Sequence, residues 1–118
     1  MERYFGEHIR NKRESLREAD IDFSLRKVAL RIGVEPSYLS KVERGEQPPP
    51  SEEKIIALAI ELKEDSDVLL ALAGKVSSEL QAVILKRPEL FAKLIRELKD
   101  MPDHAVLRLV REVRDGKW

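Results

Sequence analysis

Apolar residues recur along this chain at the three-and-four spacing of amphipathic helices. Phe5, Ile9 and Leu16 mark the core face of a first helix from residue 2 to about 19. Leu25, Val28, Ala29 and Ile32 stand at i, i+3, i+4 and i+7 of a second. Leu39 and Val42 point inward from a third, and Ser51 opens a fourth with Ile55, Leu58, Ala59 and Leu62 as its stripe. Asp65 or Ser66 starts a fifth, VLLALAG, apolar nearly all round and so expected to be buried on more than one side. Three further stripes follow: Val76, Leu80, Val83 and Ile84; Phe91, Leu94, Ile95 and Leu98 after Pro88; Val106, Leu109, Val110 and Val113 beyond the break at Met101 and Pro102. The predicted fold is all-α: a five-helix domain over residues 1–74, then a three-helix unit over residues 75–118.

The segment from Ser24 to Pro50 carries more than amphipathicity. Ser24 suits an N-cap, since its hydroxyl can accept from a free amide of the first turn. Gly33 stands where the chain must leave the helix in a left-handed conformation. Glu35 is then the expected N-cap of the next helix and Pro36 its first residue, where a missing N–H costs nothing. Ser37, Tyr38, Ser40, Lys41 and Arg44 fall mainly on the outer face, and Gly45 ends the helix. A plain helical hairpin accounts for Ser24 to Gly33 alone. Short polar and basic side chains on an outward second helix instead suit base edges in a major groove.

Leu25, Ala29, Gly33, Leu39, Ser40, Glu43 and Gly45 together resemble the lambda-repressor-like family of Cro and xenobiotic-response-element regulators, over roughly residues 5 to 73. The resemblance implies a helix-turn-helix that binds double-stranded DNA. It assigns base reading to Pro36, Ser37 and Lys41, with Glu35 and Tyr38 beside them. It assigns phosphate contacts to the helix end at Ser24, Leu25 and Arg26, to Ser40 and Arg44, and to the loop from Gly45 to Gln47. It also implies that Glu43 pairs with an arginine of the first helix, for which Arg13 is the candidate, in a structural role. Two departures stand out. The connection from Arg13 to Ser24 is several residues longer than usual and is expected to extend the first helix. The loop after Gly45 carries Glu46 and three prolines where basic residues are common.

Charge qualifies this reading. The chain has 22 basic and 22 acidic residues. Residues 1–74 hold 12 basic and 15 acidic groups, residues 75–118 hold 10 and 7. Phosphate neutralisation supplies much of DNA affinity, so such a reader should lean on base contacts and dimerisation. There is no cysteine, hence no disulfide framework and no Cys-based zinc site. His8 and His104 lie far apart, and neither is expected to bind metal. No Ser/His/Asp set, phosphate-cradling glycine loop or HExxH is present, so no enzyme and no cofactor is expected. With no long apolar run and no apolar leader, the expected location is cytoplasmic, with no membrane contact.

Three short helices over about 40 residues are too small to fold well alone. They must dock on the first domain, on a second copy, or on both. Leu90, Leu94, Leu98, Val106, Leu107 and Val110 are the expected homodimer interface, and Trp118 is expected to pack against a neighbour. A reader with such an extension resembles repressors that are cut by a metallopeptidase of the ImmA/IrrE kind. The leading expectation is a homodimeric repressor on a pseudo-palindromic operator. An antitoxin that uses residues 75–118 to neutralise a toxin is the alternative, and a restriction-modification controller is a third reading.

Overall fold

The computed structural model describes residues 2–118, with side chains from residue 4 onward. All its regular elements among these residues are helical: α1 (Glu2–Arg17), α2 (Leu25–Ile32), α3 (Pro36–Glu43), α4 (Glu52–Leu62), α5 (Ser66–Leu72), α6 (Ser78–Lys86), α7 (Pro88–Leu98) and α8 (Asp103–Asp115), with a short 3₁₀ turn at Ile21–Phe23. The chain forms two compact units, one ending at Ser78 and one running from Glu79 to Trp118.

Local chemistry sets the helix ends of the first unit. Ser24 Oγ accepts from Lys27 N at 3.3 Å, and Ser51 Oγ from Lys54 N at 3.4 Å. Asp65 Oδ1 accepts from the amides of Asp67 and Val68, capping α5. Gly33 closes α2 at φ 78°, and Val34 N returns to Ala29 O at 3.0 Å, which satisfies carbonyls the helix leaves open. Lys63 takes the same left-handed position after α4 at φ 59°, at a cost of roughly 1–2 kcal/mol for a residue with a Cβ.

The core joins Phe5 and Ile9 of α1, Val28, Ala29 and Ile32 of α2, Leu39 and Val42 of α3, Ile55, Leu58, Ala59 and Leu62 of α4, and Leu69 and Leu70 of α5. Fully burying each large aliphatic or aromatic side chain contributes about 1.5–3 kcal/mol. α1 packs against α3, α4 and α5, while α2 packs against α3 and α4. The α1–α3 crossing is close enough to require a glycine. A Cβ at Gly6 would collide with the backbone oxygen of Val42 and lie 2.7 Å from that of Glu43. Gly6→Ala should therefore cost about 1–3 kcal/mol by overpacking, despite alanine's better helix propensity. Chemical denaturation measures this, and an unchanged midpoint would mean that α1 can shift without loss.

Two expectations change here. α1 stops at Arg17 rather than near residue 19, so the long connection extends it only through Glu14 to Arg17. Asp20 Oδ1 instead accepts from Asp22 N at 2.9 Å and caps the 3₁₀ turn, which brings half-buried Phe23 against the core. α5 buries Leu69 and Leu70 but leaves Val68 54% exposed, so it packs on one side only.

The first unit reaches past Gly74 because the following residues are tied to it. Lys75 Nζ donates to Pro50 O at 2.8 Å. Ser78 N and Oγ both bond Glu52, at 2.7 and 2.8 Å. In the second unit, α6 to α8, no described residue from 79 to 118 is buried. Ile84, Phe91, Leu98, Ala105, Val106 and Leu109 are half-buried. Leu85, Leu90, Ile95, Leu107, Val110 and Val113 are half or more exposed. Trp118 is 93% exposed, its indole N–H reaching only Val113 O at 3.3 Å, so it does not pack as expected.

Candidate nucleic-acid interface

α2 packs against α3 across the turn at Gly33 and Val34, which Val34 N ties back to Ala29 O. Leu39 and Val42 face the core, and the opposite side of α3 faces out. What holds α3 against α1 is an ion pair. Arg13 Nε donates to Glu43 Oε2 at 2.8 Å and Arg13 Nη2 to Glu43 Oε1 at 2.9 Å, a two-pronged contact with both side chains buried. Arg13 Nη1 also donates to Phe23 O at 3.2 Å, so one guanidinium fixes α1, the 3₁₀ turn and α3 together. The hydrogen bond that Arg13 donates to Glu43 raises the Arg13 pKa above its ordinary value against the opposing effect of burial. A raised arginine pKa means that its charge is lost only in strong alkali, so the pair's Arg13 does not titrate near neutral pH.

The outward side chains divide into free and engaged groups. Glu35, Ser37 and Lys41 are exposed, and among the described residues their side chains have no hydrogen-bond or ion-pair partner. Glu35 sits at the N-cap without capping the helix through its side chain. Pro36 and Tyr38 are half-buried, and the Tyr38 ring packs against the core rather than lying wholly outside.

The residues assigned to phosphate by resemblance fall into two sets. Leu25, Ser40 and Arg44 meet around a cleft of about 180 Å³, which Arg10, Arg13, Glu14 and Glu43 complete. Arg10 was not singled out in the sequence, although it lies one turn before Arg13 on α1. Ser24 uses its hydroxyl as a cap, and its neighbour Arg26 is exposed and unpaired among the described residues. Gly45 takes φ 76°, and the amides of Glu46 and Gln47 both return to Lys41 O, at 2.8 and 3.3 Å. Arg44 Nη2 is held by Glu46 Oε2 at 2.7 Å in an exposed pair. Lys27 is similarly held by Asp22, and Arg31 by Glu61.

The family model described as Helix-turn-helix matches residues 14–69. This segment belongs to the lambda-repressor-like helix-turn-helix family. The protein is accordingly a DNA-binding transcriptional regulator. No curated protein and no solved structure matches the chain. The helix-turn-helix match spans α2 to α4 and most of α5, which contains both the outward face of α3 and the cleft residues Leu25, Ser40 and Arg44. Among the described residues no helix is long and apolar enough to cross a membrane, and no cluster of His, Asp and Glu could hold a metal.

Proposed function

We propose that this helix-turn-helix protein is a transcriptional repressor that binds a pseudo-palindromic operator as a homodimer. The observation that carries the reading is the outward face of α3, where Ser37 and Lys41 stand free, one turn apart, beside an arginine-lined cleft. Inserted in a major groove, α3 turns Glu35, Pro36, Ser37, Tyr38 and Lys41 toward base edges. The cleft with Arg10, Ser40 and Arg44 then takes a backbone phosphate, joined by Arg26, the amide end of α2 at Ser24 and Leu25, and the loop of Gly45 and Gln47. Dimerisation through Leu90, Leu94, Leu98, Val106, Leu107 and Val110 accounts for apolar residues that the second unit does not bury. Two readers about 34 Å apart would then meet successive turns of one DNA face. A dimer seated across a promoter excludes polymerase from it.

Selection from a random DNA pool tests this reading. The expected result is an inverted repeat, and recovery of no motif would sink it. On the selected site, Ser37→Ala and Lys41→Ala should each cost about 1–3 kcal/mol with little loss on random DNA. Equal losses on both DNAs would move these side chains to the phosphate class. The exposed apolar residues of α7 and α8 would equally serve an antitoxin that covers a toxin. That reading predicts a full-length chain that is monomeric until the toxin is added.

A further inference from the structure

The unpaired carboxylate at the tip of α3 is out of place on a surface built to meet a polyanion. Glu35 is exposed and takes extended backbone angles, φ −69° and ψ 138°, at the N-cap. Its backbone is committed, since its carbonyl accepts the first helical bond from Leu39 N at 3.1 Å. Its side chain is not committed: it makes no cap bond, and no other described residue engages it. Other acids close to the reader behave differently. Glu43 is paired with Arg13, Glu46 with Arg44, Glu61 with Arg31 and Asp22 with Lys27. Glu35 lines a cleft of about 280 Å³ with Arg26, Leu30, Val34 and Pro36, yet no ion pair joins it to Arg26. Leu30 is 77% exposed there, so the cleft is walled by apolar surface on one side.

A carboxylate carried into a major groove is repelled by phosphates on both walls unless it meets a hydrogen-bond donor. Two bases offer one there, cytosine through its N4 amino group and adenine through its N6 amino group. In adenine the amino group is flanked by the N7 acceptor, which opposes a carboxylate. In cytosine it is flanked by the C5–H edge, which suits the apolar wall of Leu30, Val34 and Pro36. We propose that Glu35 is a specificity-determining residue that accepts a hydrogen bond from the N4 amino group of a cytosine in each half-site.

The inference rests on the DNA-reading role of α3 proposed above, and one experiment separates the two. The full chain, Glu35→Ala and Glu35→Gln are each used to select sequences from one random DNA pool. The expected wild-type motif holds a fixed cytosine in each half-site. Changing that cytosine to thymine should weaken wild-type binding about tenfold and Glu35→Ala binding by less than about twofold. Glu35→Gln should shift the preference toward adenine, because an amide can both donate to N7 and accept from N6. Glu35→Ala should also bind random DNA more tightly, since it removes a repelled charge. If wild type and Glu35→Ala select the same bases at every position, Glu35 does not read DNA, while the role of α3 stands. If wild type selects no motif, both readings fall. The Glu35 side chain makes no hydrogen bond or ion pair with the described residues, so the variants should fold as the wild type does, which circular dichroism verifies.

Discussion

Glu43→Ala should lower folding stability by about 3–5 kcal/mol, the cost of removing one partner from a buried ion pair. The size follows from what is left behind. Arg13 is 3% exposed, and its charge would keep only Phe23 O at 3.2 Å and Glu14 Oε1 at 3.4 Å as protein acceptors. DNA affinity should fall as well, because the pair is what clamps α3 to α1 and sets the angle at which its outer face is presented. Thermal melting and operator binding of the same variant decide the matter. A normal melting temperature would mean that the pair is dispensable for folding. Arg13→Lys should also destabilise the fold, since an ammonium cannot reproduce the two-pronged contact with Glu43 and the bond to Phe23 O. Replacing both residues by apolar ones of similar volume should recover much of the stability, as buried pairs often gain little over good packing.

A chain ending at Ser78 should bind an intact operator about 10²–10⁴-fold more weakly than the full chain while melting cooperatively on its own. Its fold is expected to survive because every buried core residue lies before that point, and because Lys75 and Ser78 anchor the end to Pro50 and Glu52. The affinity loss is one of tethering. In a dimer, the first reader raises the effective concentration of the second over its half-site, and a lone reader loses that gain without losing any contact. On a single half-site, both chains should bind alike. Sedimentation should find the shortened chain monomeric. A dimer of the shortened chain would place the interface within the first unit and leave the apolar faces of α7 and α8 for another partner.

Caps and stripes were legible because they are local. Ser24, Gly33, Ser51 and Asp65 act through bonds to residues one turn away, and the stripes of α1 to α4 name most of the buried residues. Other features depend on what the chain meets far away. Phe23 stands at i+7 from Leu16, a helical spacing by accident of count, and Asp20 diverts it into a 3₁₀ turn. Nearly every position of α5 is apolar, so its pattern carries little direction, and the neighbouring helices α4 and α1 decide that Leu69 and Leu70 go in. The pairing of Arg13 with Glu43 spans thirty residues, and resemblance rather than spacing named it. Within the candidate site, Leu25, Ser40 and Arg44 were named from the sequence and meet around one cleft. Arg10 joins them there only through the crossing of α1, and Gly6 permits that crossing. A glycine inside a strong amphipathic helix was the available signal.

The carboxylates that hold Arg44, Lys27 and Arg31 bear on how the protein travels. A cation already bonded to Glu46, Asp22 or Glu61 gains less from a chance phosphate than a free one, since it must first let go. Each phosphate contact forgone removes about 0.9 from the salt slope and shortens the stay on unrelated sequence. The protein should therefore leave wrong sites quickly, hop rather than slide, and sample a genome in many brief visits. Only where the bases answer α3 would letting go of those carboxylates be compensated, so the same surface that weakens grip elsewhere hastens arrival at the operator.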